Sequence, residues 1–177
     1  MSTEIFKPGH IRLFSGKYLN LAKPEPTDIF LIDIAVGLAR ECRWGNHSRR
    51  FYSVAEHSIE CMLHAELAEP GNDLLAFQCL MHDAHEAYLG DIPTPLKDLI
   101  PQYKEVAARV QHAINVRMGM NFGVSLMVKD IDEKVLREEW KSKMLNWTGL
   151  EMNEKARVDL FIHHATRLCQ HPIAIMP

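Results

Sequence analysis

The segment from Leu74 to Tyr88 constrains this chain more than any other, because it sets a histidine and an aspartate side by side, His82-Asp83, within an apolar run. Leu74-Leu75-Ala76-Phe77-Gln78-Cys79-Leu80-Met81 leads into His82-Asp83-Ala84-His85-Glu86-Ala87-Tyr88, and the pattern predicts one helix over 72–88. At helical spacing Leu75, Cys79, His82, Asp83 and Glu86 share a stripe, so an imidazole and two carboxylates fall on a face that begins apolar. Buried carboxylates are strongly unfavourable unless a charge compensates them, and a divalent metal is the usual compensation.

Two further stretches place chemistry on apolar faces. In the helix predicted over 53–67, His57 is flanked by Val54 and Cys61 on its own side, so it points inward. In the helix predicted over 130–146, Asp132 shares a stripe with Val135, Leu136 and Trp140. Taken singly, His57 reads as a satisfied core histidine. Asp132 alone reads as a first-turn acid beside an Asp130 N-cap and a Glu133 capping box.

His57, then His82-Asp83 after 25 residues, then Asp132 after 49 more, follows the order of the four metal ligands in the HD-domain phosphohydrolase superfamily, which this chain resembles. The blocks Tyr52-Ser53-Val54-Ala55-Glu56-His57-Ser58 and His82-Asp83-Ala84-His85-Glu86, followed by Gly90-Asp91-Ile92-Pro93-Thr94-Pro95-Leu96-Lys97, are similar to the bacterial 5′-deoxynucleotidases and the phage dATP triphosphohydrolases. With Arg43-Trp44 ahead and Asp132 behind, the resemblance covers residues 40–140. It implies an all-α fold, a single HD-domain helical bundle over residues 1–177, to which the hairpin described below is added. It also implies His57, His82, Asp83 and Asp132 as ligands of one divalent transition metal.

Two imidazoles and two carboxylates suit Mn²⁺, Co²⁺, Fe²⁺, Ni²⁺ or Zn²⁺ better than Ca²⁺. Such an ion polarises a phosphoryl oxygen and acidifies water, so no covalent nucleophile is required. Glu86 stands on the same helix face as the ligands, and the resemblance assigns acid/base roles to Glu86 and Asp91. The planar fork of Arg43 suits phosphate, Lys97 is a second candidate cation, and Trp44 offers a face to a sugar or base. The implied activity is hydrolysis of deoxynucleotides, releasing either phosphate from a dNMP or triphosphate from a dNTP, by a homo-oligomer. Two alternatives stand beside it: a nucleotide-sensing HD module without turnover, and a binuclear oxygenase or phosphodiesterase in which His112 adds a ligand. His85 departs from the small residue expected in its block, while Trp140 and Trp147 read as core or interface residues.

Composition narrows the partners. Lys and Arg number 20 against 23 Asp and Glu, which is too acidic a balance for a long nucleic-acid footprint, although a small anion needs only a local cluster. Cys42, Cys61, Cys79 and Cys169 show neither CxxC spacing nor the density of a disulfide scaffold and read as reduced core residues. With no apolar run of about 18 residues and no signal-peptide pattern at Met1-Ser2-Thr3-Glu4, the expected location is cytoplasmic, away from membranes. Alternating polarity over 11–14 and 18–21 predicts a hairpin that must dock on the helices. Further helices are predicted from Thr27 or Asp28 to Glu41, over 101–118 between Pro101 and Gly119, and over 154–170.

Overall fold

The computed structural model describes residues 8–120, 125–146 and 151–177. The chain is mostly helical, with a two-stranded antiparallel hairpin at its start, as expected. Strands β1 (His10–Arg12) and β2 (Tyr18–Asn20) pair with Ile11 opposite Leu19. A lone hairpin is marginal in water. This one is anchored by fully buried Leu19 and by its tip, where Ser15 N–H and Oγ–H donate to Asp33 Oδ1 and Oδ2 at 2.7 and 2.9 Å.

Asp33 lies in the first turn of α1 (Leu31–Arg40), which begins later than predicted because Pro26–Asp28 form a separate 3₁₀ turn. Neither Thr27 nor Asp28 is its N-cap. The position belongs to Phe30, which has no side-chain acceptor, and the C-terminal segment serves instead: Leu31 and Ile32 N–H donate to the carbonyls of Ala174 and Ile175 at 3.2 and 3.0 Å. Helix α2 (Val54–Ala68) matches its prediction and opens with a capping box between Ser53 and Glu56. Arg157 of α8 (Glu154–Leu168) donates to that Glu56 at 2.8 Å, tying the last helix to the start of α2.

The helix predicted over 72–88 is broken. Helix α3 spans Asp73–Met81 and α4 only Glu86–Leu89. Between them the backbone bonds tighten to i→i+3 spacing, from Ala84 to Met81, Glu86 to Asp83, Ala87 to Ala84 and Tyr88 to His85, at 2.9–3.3 Å. The physical reason is a side chain from α6 (Pro101–Arg117): Gln111 bonds both Met81 and His85 where the α-helical ladder would join them. Gly90, at φ +80°, then reverses the chain, and α5 (Thr94–Leu99), which no pattern predicts, carries Lys97.

Helix α7 runs from Leu126 to Glu139 with Ser125 as its N-cap. It starts a turn earlier than predicted, so Asp130 is no cap and Asp132 lies in the second turn. Past Glu139 the helix widens into a π turn over Trp140–Leu145. Helix α2 packs on α3 and α7, and α1 packs on α8 and α4. The α1–α4 contact needs Gly37, since a Cβ there would meet Ala87 at 2.7 Å. No helix among the described residues is long and apolar enough to cross a membrane.

Candidate metal centre

Helices α2 and α7 and the turn that follows α3 bring their predicted residues to one point. His57 Nε2 lies 3.3 Å from His82 Nε2 and 3.1 Å from Asp132 Oδ1, and His82 Nε2 lies 3.6 Å from that same oxygen. Asp83 Oδ2 approaches His82 Nε2 at 3.2 Å and His57 Nε2 at 3.6 Å. Ligands about 2.1 Å from one ion stand roughly 3.0 to 3.4 Å apart in octahedral or tetrahedral arrangements, so this spacing suits a shared cation. Cys61, one helical turn after His57, adds its Sγ at 3.6 Å from His57 Nε2. Donor atoms of His57, Cys61, His82 and Asp132 lie within 4.8 Å of one another, close enough to hold a metal ion. Cys61 is therefore more than the plain core residue its sequence context suggests. Burial and the nearby Asp132 and Asp83 nevertheless raise its thiol pKa, which disfavours thiolate, whereas Asp83 is held well below the usual carboxylate range despite burial, by His82, His57 and Arg43. Burial alone would lower the pKa of His82, but Asp83 and Asp132 raise it well above its ordinary value. The cluster calls for positive charge, which suits a divalent ion.

The imidazoles are oriented from behind. His82 Nδ1–H donates to the Cys79 carbonyl at 2.7 Å, turning Nε2 to the cluster. His57 Nδ1 lies 2.6 Å from Glu139 Oε1. Burial would raise the Glu139 pKa, yet the bonds from His57, Arg43 and Tyr52 lower it, so the carboxylate is ionised and His57 Nδ1–H is the donor. Fully buried Glu139 also accepts from Tyr52 Oη–H at 3.0 Å and from Arg43 Nε–H at 3.3 Å. Glu139 belongs to none of the sequence motifs. A signal was present, since Asp132, Val135 and Glu139 recur at i, i+3 and i+7.

Above the cluster opens a cavity of about 550 Å³, within the usual size of ligand sites. Asp83, Glu86, Asp91, Lys97 and Asp132 line it together with Arg43 and Trp44. Arg43 is set by its own N–H donating to the Tyr52 carbonyl at 2.9 Å, beside a bridge between Cys42 and Ser53. Its fork is held by Glu139, with Nη1 3.6 Å from Asp83 Oδ2. Glu86 accepts from Lys97 Nζ–H at 2.9 Å through Oε1, while buried Oε2 has no partner among the described residues. Burial, then Asp83 and Asp91, push Glu86 up to about 9, outweighing the opposing pull of Lys97. Asp91, also raised chiefly by burial, has its backbone N–H on Glu41 Oε1 at 3.0 Å, and Tyr103 Oη–H closes the same turn on the Gly90 carbonyl.

Trp44, Gly45 and Asn46 all take the left-handed conformation, with φ of 61°, 55° and 66°. A bulky residue there is strained by roughly 1–2 kcal/mol. The turn holds the Trp44 indole 5.6 Å from that of half-exposed Trp140, with Nε1–H buried and unpartnered among the described residues. Trp44 is thus both a packing residue and part of the cavity wall. His112 lies elsewhere, exposed in a hollow beside Lys23 and Arg109, and His85 bonds Gln111. Trp147 lies outside the described residues.

The fold and site together describe a helical protein with a metal-competent imidazole and carboxylate cluster beside a cavity lined by both charged and apolar side chains. No protein-family model matches the chain. It is 40% identical over 145 residues to the uncharacterized protein YfdR of Escherichia coli K12, across 80% of this chain and 78% of that protein. It is also 40% identical over 113 residues to the uncharacterized protein RCAP_rcc00048 of Rhodobacter capsulatus, across 62% of this chain and 58% of that protein. The chain belongs to the family of YfdR.

Proposed function

We propose that this protein is a divalent-metal-dependent phosphohydrolase of the HD superfamily acting on deoxynucleotides, with His57, His82, Asp83 and Asp132 as the ligands of one transition metal. The observation that carries the reading is the convergence of Arg43, Glu86, Asp91 and Lys97 on a cavity that Asp83 and Asp132 of the cluster also line. When bound, a divalent ion supplies polarisation of a phosphoryl oxygen and acidification of water.

The chain's own groups account for the rest. In hydrolysis, water attacks phosphorus, the bond from phosphorus to the leaving oxygen breaks, one proton leaves the water and one reaches the leaving oxygen. Glu86, protonated at neutral pH by its burial, is the proton donor, and Asp91, which lines the same cavity, is the acceptor. Arg43 Nη1, the part of the fork nearest Asp83, faces substrate phosphate, with the guanidinium plane fixed by Glu139. Lys97 keeps Glu86 in place and adds a second positive charge. The Trp44 indole, in the cavity wall, gives the sugar or base an apolar face.

Incubation of the protein with each nucleoside mono-, di- and triphosphate, in ribo and deoxy forms, with Mn²⁺ or Co²⁺, followed by chromatographic product analysis, tests the reading. Release of phosphate from a dNMP or of triphosphate from a dNTP is the expected result. Stoichiometric metal and tight nucleotide binding without turnover would identify a sensor instead.

A further inference from the structure

Gln111 sits on α6, outside every motif, yet its side-chain amide makes one link on each side of the helix break. Its Nε2–H donates to the Met81 carbonyl at 3.0 Å, and its Oε1 accepts from the His85 backbone N–H at 3.1 Å. Met81 and His85 are four residues apart, so these two groups would bond each other in an unbroken α-helix. Gln111 takes the place of that bond. Two more contacts fix the amide: Nε2–H also donates to Asn115 Oδ1 at 2.8 Å, and Oε1 lies 3.1 Å from His85 Nδ1. The assignment of oxygen and nitrogen is self-consistent, because the carbonyl can only accept and the backbone N–H can only donate.

The consequence falls on the residues between the two anchors. An α-helix turns about 100° per residue and a 3₁₀ helix about 120°, so residues i and i+3 lie roughly 60° apart in the first and eclipsed in the second. The i→i+3 bonds across 81–88 therefore bring Asp83 and Glu86 onto one line, and both reach the same cavity. We propose that Gln111 is a positioning residue, a wedge that keeps the backbone at His82-Asp83-Ala84-His85-Glu86 overwound so that Asp83 of the metal-ligating doublet and Glu86 face the cavity together. The proposal deepens the metal-centre reading above and rests on it for its functional consequence. It also gives His85 a role, since the residue that departs from the family-like block is the one that grips the wedge.

The test uses Gln111→Leu, which keeps bulk and loses every hydrogen bond of the amide, with Gln111→Glu and Val110→Ala as companions. Gln111→Glu retains the acceptor for His85 and loses the donor to Met81. Val110→Ala loosens the same helix at a fully buried position. In the crystal structure of Gln111→Leu, His85 N–H should bond the Met81 carbonyl directly and α3 should run into α4. Co²⁺ affinity, titrated through the visible spectrum, should fall about 10- to 100-fold, the usual effect of losing an outer partner of a metal site. Gln111→Glu should fall less and still test the idea if Gln111→Leu does not fold, and Val110→Ala should lower the melting temperature with the wild-type spectrum and affinity. An unchanged 3₁₀ segment, or wild-type Co²⁺ affinity in both Gln111 variants, overturns the proposal, as does an equal loss in Val110→Ala. A wild-type protein that binds no Co²⁺ refutes the metal centre instead, and the backbone of Gln111→Leu then decides the wedge by itself.

Discussion

Glu139→Gln is the substitution whose outcome the structure predicts in most detail. The carboxylate is fully buried, and both of its oxygens are in use: Oε1 takes His57 at 2.6 Å and Tyr52 at 3.0 Å, and Oε2 takes the Arg43 fork at 3.2–3.3 Å. A glutamine offers one oxygen and one NH₂. Whichever way it turns, NH₂ confronts a donor, and the favourable orientation keeps the oxygen toward His57 and Tyr52. Arg43, itself buried, is then left with the Asp83 carboxylate at 3.6 Å, an ion-pair contact too long for a hydrogen bond. Breaking a buried ion pair from one side is worth about 3–5 kcal/mol, and since Asp83 remains the lower end applies. Against a total stability of roughly 5–15 kcal/mol this is easily measured by urea denaturation at pH 7. Metal affinity should fall about 10- to 100-fold, because a neutral amide oxygen behind His57 Nδ1–H makes the imidazole a less basic ligand than the carboxylate does. The pH dependence has a definite sign. Glu139 titrates below its ordinary 4.5 in the folded protein, so near that pH the unfolded chain binds more protons. Its contribution is present above about 4.5 and is lost as pH falls through the folded value, so the acid limb of the stability profile should be shallower in Glu139→Gln. A stability loss under about 1 kcal/mol with unchanged metal affinity would refute the reasoning, since exposed pairs contribute that little.

Asp83→Asn should abolish bound metal and turnover together, as should His82→Ala, whereas Cys61→Ala should keep both; metal analysis of the purified variants checks this, and the reverse result would make Cys61 the fourth ligand. Glu86→Gln should retain metal and nucleotide but lose about 10²–10⁴ in kcat. Because the folded pKa of Glu86 is raised to about 9, Glu86→Gln should also gain melting temperature over wild type as pH rises from about 4.5 toward 9. Arg43→Ala should weaken all phosphorylated substrates alike, whereas Trp44→Ala should alter ratios of kcat/KM between bases or between ribose and deoxyribose by about tenfold, on the scale of base stacking on an aromatic ring. Competition assays with paired deoxy and ribo nucleotides measure the difference, and a Trp44→Ala protein that is merely less stable, with every ratio intact, would reduce Trp44 to a packing residue on Trp140.

The residues that converge in space are those whose inward direction periodicity reveals. His57 and Asp132 each sit on a helix whose apolar stripe passes through them, so reading the stripe amounts to reading the direction of the side chain. The helix boundaries followed local rules where local rules govern. The capping box at Ser53 starts α2, and Gly119 at φ +72° ends the long helix after Pro101. The failures share a different cause. Nothing in 72–88 signals a break, because every residue there suits a helix and the break is imposed by an amide 26 residues beyond His85 in the sequence. The first helix begins at Phe30 rather than at a capping side chain because the acceptors for its free N–H groups come from Ala174 and Ile175, at the far end of the chain. Local propensity is a small free energy per residue and yields to a few well-placed tertiary hydrogen bonds. At this site they act where a regular α-helix would leave Asp83 and Glu86 about 60° apart on one face, so the local irregularity and the closer alignment of the two carboxylates have one physical origin.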